Sequence, residues 1–252
     1  MINIYSAGQI EKIAASGKIS AGIFRSVQKE VKPGVSLRQL DQFVYQETKK
    51  QGAEPAFLGY QPHGALKPFG GSICASLNEV VVHGFPSDYI LQSGDVLKID
   101  FGAKYDNFFS DAAITIGVGE ISPEAQKLIR VTKLALEKAI KEARPGKKIG
   151  DIGWVIQKTA RDNNLHVIKN LTGHGIGLSL HEEPTILNYG KRGEGIRLEP
   201  GMVLAIEPML AVSTEGVIQG LDESWITDNK SLSAHFEHTI AVIRGGARIL
   251  TQ

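Results

Sequence analysis

Apolar residues recur near the start of the chain at steps of three and four, which is the spacing of one face of an α-helix. The pattern covers residues 7–31 and consists of Ile10, Ile13, Gly17, Ala21, Phe24, Val27 and Val31. Pro33-Gly34 would end this helix, and Ser36 is a suitable N-cap for a second helix over residues 37–51. Ser122-Pro123 predicts the start of a third helix, which runs to about residue 143, and a fourth helix is predicted over 149–163.

β-Branched residues cluster in five further segments, which predict strands. These segments lie near residues 72–77, 95–102, 108–116, 202–207 and 237–243. Pairs of helices followed by strands indicate a mixed α/β (α+β) fold.

The two halves of the chain resemble each other. EVKPGVSLRQLDQFVYQETKK is echoed by EARPGKKIGDIGWVIQKTARD, and LQSGDVLKIDFG is echoed by LEPGMVLAIEPM. Asp100 and Glu207 hold matching positions in this echo. We therefore predict one domain over residues 1–252, with pseudo-symmetric halves of about 1–118 and 119–252. A pseudo-twofold axis would bring the two matching strands together, so that their carboxylates meet near its centre.

Composition narrows the class of protein. The chain has 252 residues, 42% hydrophobic and 22% charged, which is ordinary for a globular protein. A formal net charge of +1 gives no electrostatic case for nucleic acid or for an anionic membrane. Cys74 is the only cysteine, so no internal disulfide can form. The N-terminus lacks the basic-then-apolar pattern of a signal peptide, and we expect a cytoplasmic protein with no membrane association.

Five scattered residues carry the candidate chemistry. Each lies in a short segment, KIDFG, FFSDA, TGHGIG, AIEPM or HFEHT, and they are Asp100, Asp111, His174, Glu207 and Glu237. Four carboxylates and one imidazole suit two first-row divalent cations a few ångströms apart, and this ligand set predicts a hydrolase. A hairpin tip between residues 105 and 106 would place Asp100 directly opposite Asp111, and a cation between them would offset their repulsion.

Two further histidines are candidates for contact with a substrate. His83 in NEVVVHG and His181 in HEEP lie in contexts that suit contact with a substrate carbonyl. The alternatives are a capped strand end for His83 and a turn cap for His181. The remaining histidines are expected to be structural or on the surface: His63, His166, His235 and His238.

The segments that contain these residues resemble those of a known family, the type I methionine aminopeptidases, which belong to the metal-dependent pita-bread peptidases. The resemblance runs through VKPGVSLRQLD, SICASLNEVVVHGFP, LKIDFGAKYDNFFSDAAITIGVG, TGHGIGLSLHEEP, LEPGMVLAIEPM and LSAHFEHTIAV. It implies a curved antiparallel sheet flanked by helices, in two pseudo-symmetric halves. It also implies two divalent metal ions (Mn, Fe, Co or Zn) on the five ligands. His83, His181 and Glu207 would be catalytic, with Glu207 also a ligand.

The activity implied is removal of the initiator methionine from nascent proteins, where the second residue is small. The partner would be the nascent polypeptide N-terminus at the ribosome, and the protein would act as a monomer. The implied substrate-binding residues are His83, His181, Phe57, Tyr60, Phe69, Leu180 and Trp225. Phe57 stands where the family usually has cysteine, Leu180 where it has an aromatic residue, and the loop over 61–71 is longer than usual. These departures put the side-chain preference in doubt.

Two competing functions remain. The first is an Xaa-Pro aminopeptidase or dipeptidase on the same fold, or an aminopeptidase of broadened specificity, since Pro62-His63-Gly64 superficially resembles a segment of the proline-specific enzymes. The second is a binding module without activity, which typically has lost ligands that this chain keeps.

Overall fold

The structure is a computed structural model that describes residues 2–61 and 64–252. Pro62 and His63, which entered the sequence comparison above, lie outside the described residues. The four predicted helices are confirmed: α1 (Ala7–Glu30), α2 (Leu37–Lys50), α3 (Pro123–Glu142) and α4 (Ile149–Asp162). The side chains of Ser36 and Ser122 cap α2 and α3 as predicted, because each accepts a hydrogen bond from a backbone N–H of the first turn.

Fifteen strands occur in the described residues, and they include the five predicted ones. In chain order they are β1 (Glu54–Pro55), β2 (Cys74–Leu77), β3 (Val80–Val82), β4 (Val96–Tyr105), β5 (Phe108–Gly117), β6 (His166–Val167), β7 (Thr172–Gly175), β8 (Glu182–Leu187), β9 (Val203–Ile206), β10 (Met209–Ala211), β11 (Val217–Gln219), β12 (Trp225–Thr227), β13 (Ser233–His235), β14 (Glu237–Ile243) and β15 (Gly246–Ile249). Nine of them form one antiparallel sheet in the order β1-β4-β5-β14-β9-β7-β8, with β2 beside β4 and β15 beside β14.

Each half of the chain forms its own apolar core between a helix pair and part of this sheet. Helices α1 and α2 pack on β4 through residues such as Phe24, Leu40 and Phe101. Helices α3 and α4 pack on β9 and β14 through residues such as Ile152 and Ile240. The repeated helix–helix–strand order in the sequence therefore corresponds to two similar layers. The single domain over 1–252 stays a prediction.

The prediction that the two echoed strands meet is wrong. Asp100 lies on β4, and Glu207 directly follows β9. These two strands are separated by β5 and β14, which pair with each other at the centre of the sheet. Each echoed strand pairs with a later strand of its own half: β4 pairs with β5, the next strand, and β9 pairs with β14, which comes after four intervening strands. These second strands lie inside and meet each other.

The predicted hairpin register is also wrong by one residue per strand. Tyr105 pairs with Phe108, so that the tip lies between Asp106 and Asn107 and Asp100 faces Ala113 rather than Asp111. Asp106 and Asn107 have φ angles of 49° and 63°, as in a two-residue type I′ turn. The shift leaves Asp100 and Asp111 on the same face as diagonal neighbours.

Among residues 2–61 and 64–252, none of the helices combines the length and the apolarity that crossing a bilayer requires.

Candidate metal centre

Strand register brings three carboxylates to one face at the centre of the large sheet. Ala113 of β5 lies opposite Asp100 of β4 on one side and opposite Glu237 of β14 on the other. Residues that face each other across antiparallel strands project to the same side of the sheet. Asp111, two residues before Ala113, projects to that side as well. The small Ala113 side chain leaves space between the acidic groups.

The second half supplies the remaining two members by the same rule. Ala205 of β9 pairs with His174 of β7 and with Thr239 of β14. Thr239 is two residues from Glu237, so His174 projects to the same face as the carboxylates. Glu207 follows directly after β9 and two residues after Ala205, which again places it on this side. The five residues singled out in the sequence therefore converge.

Interatomic distances within the cluster are those of donors that can share a cation. One ligand atom each from Asp111, His174 and Glu237 lies within 4.8 Å of the other two. His174 Nε2 is 3.5 Å from Glu207 Oε1. The carboxyl group of Asp100 lies near enough to raise the pKa of Asp111.

The hydrogen bonding of His174 determines which of its nitrogens faces the carboxylates. Its Nδ1 lies 2.8 Å from the Gly175 carbonyl oxygen, which can only accept, so Nδ1 carries the proton. Burial lowers the pKa of this imidazole to about 4, and the ring is therefore neutral at pH 7. Nε2 then presents a lone pair towards Glu207. Such an arrangement is typical of a metal-ligating histidine whose other nitrogen is fixed by a backbone carbonyl.

The carboxylates are buried with too few partners. Asp111, Glu207 and Glu237 are 4%, 9% and 2% exposed. Burial raises the pKa of each carboxyl group well above its ordinary range, and the neighbouring carboxylates raise it further. Among the described residues, Asp100 Oδ1 and Glu237 Oε1 have no hydrogen-bond partner. Buried anions need a counter-charge, and the residues present fit bound divalent cations.

His181 and His83 flank the cluster on the side open to the cleft. The Tyr60 hydroxyl lies 2.7 Å from His181 Nδ1, and the rings of His181 and His174 meet edge to face. Burial lowers the pKa of His181 to about 3 and also lowers that of His83, so both imidazoles are neutral. His83 directly follows β3 and has a φ of 60°, in the left-handed region that non-glycine residues rarely occupy.

A cavity of about 1700 Å³ opens onto the cluster. All the predicted substrate-binding residues line it. Phe57, Tyr60, Phe69 and Leu180 belong to one apolar cluster, whereas Trp225 stands on β12 beside Val82. The backbone N–H of Phe69 donates to the Tyr60 carbonyl at 2.9 Å, so that the loop between them begins and ends at the cavity wall.

Sequence reasoning missed two features beside the cluster. His235, expected to be structural, is 1% exposed, and its Nε2 lies 3.6 Å from Glu207 Oε2. The Tyr5 hydroxyl donates to the Glu182 carboxylate at 2.8 Å, and Glu182 also accepts the backbone N–H groups of Leu178 and Ser179. Tyr5 thus braces the turn that carries His181. The spacing of Tyr5 and Glu182 along the chain gives no signal of this contact, whereas His235 shares strand parity with Glu237.

The helix-backed antiparallel sheet and its buried carboxylate–imidazole cluster define a metal-dependent peptidase, and the chain belongs to metallopeptidase family M24, whose pattern matches residues 11–244. The curated relatives are more specific. The methionine aminopeptidase of Aquifex aeolicus is 45% identical over 100% of this chain and 99% of its own length. Methionine aminopeptidase 1 of Bacillus subtilis is 42% identical over 94% of each chain.

Solved structures agree with these relatives. The crystal structure of methionine aminopeptidase from Rickettsia prowazekii has a TM-score of 0.96 and 38% identity, with both chains fully covered. Within family M24, the chain belongs to the methionine aminopeptidases.

Proposed function

We propose that this protein removes the N-terminal methionine of newly made polypeptides, where the second residue is small. Hydrolysis of the first peptide bond would take place at two divalent cations held by Asp100, Asp111, His174, Glu207 and Glu237. The relatives that carry this activity in their names match the chain over its whole length, and the expected ligands lie together on one face of the sheet.

A single observation carries the chemistry. His174 Nε2, deprotonated because Nδ1–H donates to Gly175, faces a carboxylate oxygen of Glu207 at 3.5 Å. A lone pair directed at a buried carboxylate requires a proton or a cation between the two groups, and a metal cation would be bound by both donors at once. Four carboxylates can offset the charge of two divalent cations. Oxygen and imidazole donors suit Mn, Fe, Co and Zn alike, so the ligand set does not favour one of them.

When bound, such cations lower the pKa of a water molecule and polarise the substrate carbonyl. We assign the proton transfers to Glu207, whose side chain would accept a proton from the attacking water at a carboxylate oxygen and pass it to the leaving amine.

Two neutral imidazoles would orient the scissile bond. If the Tyr60 hydroxyl donates to His181 Nδ1, the single proton of that ring lies on Nε2, which can then donate to the substrate carbonyl oxygen. His83, held at the cleft by its left-handed backbone, would contact the amide nitrogen or the developing intermediate. Both roles require uncharged rings, which burial provides.

The aromatic and aliphatic wall of the cavity would bind the methionine side chain. Phe57 and Leu180 are buried on one side, next to Tyr60 and Phe69. A flexible, polarisable thioether packs well against aromatic rings. Trp225 lies on another part of the wall and would contact the substrate from there.

Methionine at the N-terminus marks a newly synthesised chain. We therefore propose that the protein acts in the cytoplasm on nascent N-termini at the ribosome, as a monomer. Analytical ultracentrifugation, with and without ribosomes, would test both the association and the oligomeric state.

The decisive experiment is release of free amino acid from four peptides by protein reloaded with Mn²⁺ or Co²⁺. The peptides are Met-Ala-Ser, Met-Leu-Ser, Leu-Ala-Ser and Ala-Pro-Ser. Methionine from Met-Ala-Ser alone is the expected result. Equal cleavage of Leu-Ala-Ser would mean that Phe57 and Leu180 have broadened the pocket, and cleavage only before proline would contradict the proposal.

Glu207→Gln is the matched control, since it keeps the size of the side chain and removes its proton acceptor. This variant should fold as the wild type does and release methionine about 10²–10⁴-fold more slowly. Full activity after metal reloading would exclude the role assigned to Glu207.

A further inference from the structure

A second imidazole lies beside the carboxylate cluster, among residues that do not line the cavity. His235 Nε2 is 3.6 Å from Glu207 Oε2 and 3.9 Å from Glu237 Oε2. His235 is 1% exposed and is not among the residues that line the cavity. Within the described residues, neither of its ring nitrogens has a hydrogen-bond partner. A fully buried polar ring without partners is unusual in a native protein and requires an explanation.

The backbone of His235 is fixed on both sides. Its carbonyl accepts a hydrogen bond from Thr115 Oγ1 at 2.6 Å, and its N–H donates to the same oxygen at 2.9 Å. It also pairs with Met209 between β13 and β10. The ring is therefore held beside the two glutamates by the sheet itself, and it cannot move far to find other partners.

Two imidazoles thus approach opposite oxygens of Glu207, with different hydrogen-bonding roles. His174 Nε2 lies beside Oε1. This nitrogen carries no proton, because the single proton of the ring is on Nδ1 and is donated to the Gly175 carbonyl. The described part of the chain offers His235 Nδ1 no such carbonyl. Its one proton can therefore lie on Nε2, where the nearest acceptors are Glu207 Oε2 and Glu237 Oε2.

We propose that His235 is a positioning residue of the metal centre, which donates from Nε2–H to Glu207 Oε2 and so directs Oε1 towards the cations. This inference rests on the proposed function, because it requires Glu207 to be a ligand. The present separation of 3.6 Å is about 0.4 Å longer than an N–H···O hydrogen bond, so the proposed bond would require a small movement of the carboxylate towards the ring. Groups that orient metal ligands in this way typically change metal affinity about 10–100-fold when removed.

Two substitutions separate the N–H group from the bulk of the ring. In His235→Gln the amide nitrogen is as many bonds from Cα as Nε2 of histidine, so the donor is kept. In His235→Leu the donor is lost while the site stays filled with an apolar side chain. The measurements are calorimetric titration of the EDTA-stripped full-length protein with Mn²⁺, and the visible absorption spectrum of the Co²⁺-loaded protein.

We expect His235→Leu to raise the Mn²⁺ dissociation constant about 10–100-fold and to change the Co²⁺ spectrum, with His235→Gln within about threefold of wild type. A folded His235→Leu protein with wild-type affinity and spectrum would overturn the inference. So would an equal loss in both variants. If His235→Leu does not fold, His235→Asn decides: its amide is one bond too short, and wild-type affinity in that variant would refute the inference.

His238→Leu is the matched control for loss of a buried imidazole. His238 lies on β14 with opposite strand parity to Glu237, and its Nδ1 is 2.9 Å from Thr251 Oγ1. We expect this variant to lose thermal stability and to keep wild-type Mn²⁺ affinity. Weakening as large as in His235→Leu would show that any buried imidazole nearby matters, and the inference would fall.

Wild-type measurements distinguish this inference from the proposed function. Protein that binds Mn²⁺ tightly but releases no methionine would refute the activity, while the variants would still decide the role of His235. Protein that binds no Mn²⁺ at all would overturn both.

Discussion

Lys98 carries an amine that is buried in the folded protein. It lies on β4 and is 1% exposed, and its Nζ donates to the Asn78 carbonyl at 2.7 Å. No ion pair of Lys98 occurs within residues 2–61 and 64–252. Burial lowers the pKa of this amine from 10.5 to about 7. Its charged form is therefore more stable in the unfolded chain than in the folded protein.

The sign of the pH dependence follows from proton binding. Between pH 7 and about pH 10 the unfolded chain holds the Lys98 proton more often than the folded protein does, so the free energy of unfolding rises with pH. At about 1.4 kcal/mol per pKa unit, this single group accounts for a rise of about 3 kcal/mol between pH 6 and pH 9. The hydrogen bond to Asn78 favours the charged form, and we therefore expect about 2 kcal/mol.

Lys98→Met removes the charge at similar volume. The Asn78 carbonyl would keep two donors, the backbone N–H and the Oγ of Ser233, each at 3.1 Å. We expect the variant to be more stable than wild type at pH 6. The difference in free energy of unfolding between the two proteins should be about 2 kcal/mol larger at pH 6 than at pH 9. Urea unfolding of the metal-free proteins at pH 6, 7, 8 and 9 measures this difference, in which the titration of the carboxylates largely cancels.

Lys104→Met is the control, because Lys104 lies on the same strand and is only partly buried. It should shift the unfolding curves equally at every pH. Parallel pH profiles for wild type and Lys98→Met would refute the reasoning, as would a relative stability of the variant that increases with pH.

Three further predictions concern the site. Glu207→Gln should lower kcat for Met-Ala-Ser by about 10²–10⁴-fold with unchanged thermal unfolding; a change in KM alone would contradict this. Phe57→Ala should raise KM for the same peptide about tenfold, since an aromatic contact is worth about 1.5 kcal/mol, while Mn²⁺ affinity measured by calorimetry stays constant. Parallel loss of metal affinity would show that Phe57 supports the ligands instead. Tyr5→Phe should lower the free energy of unfolding by about 1–2 kcal/mol in urea titration, because the Glu182 carboxylate loses a donor. It should also reduce kcat through the turn that carries His181, and unaltered stability would argue against the brace.

Much of the fold could be predicted because its signals are local. All four helices were predicted, with serine caps at the starts of α2 and α3. β-Branched runs located five strands of the large sheet, of which β4, β5, β14 and β9 are its central strands and β2 lies beside β4. The signal for the true hairpin register was also present. Asp106-Asn107 is a residue pair that tolerates positive φ at both positions, and it marks a two-residue turn one position later than we predicted.

Pairing between the halves could not be read from the echo. The repeat predicts two similar units, but the choice of which strands meet depends on which strand edges are left free when each half of the sheet packs under its helices. Strand β5 joins β14 through Glu237↔Ala113, a contact between residues more than a hundred positions apart. Nothing in the spacing of either half encodes that register, and the position of the cluster depends on it.

His235 and His238 illustrate what strand parity could have added. Both are histidines within two residues of Glu237, and residue type alone gave them the same interpretation. Alternation along an extended chain puts residues 235 and 237 on one side and residue 238 on the other. The structure follows this division, with His235 beside Glu207 and His238 beside Thr251. Parity therefore selects His235 as the histidine to test, whereas its distance to Glu207 depends on the pairing of β13 with β10, which only the folded chain defines.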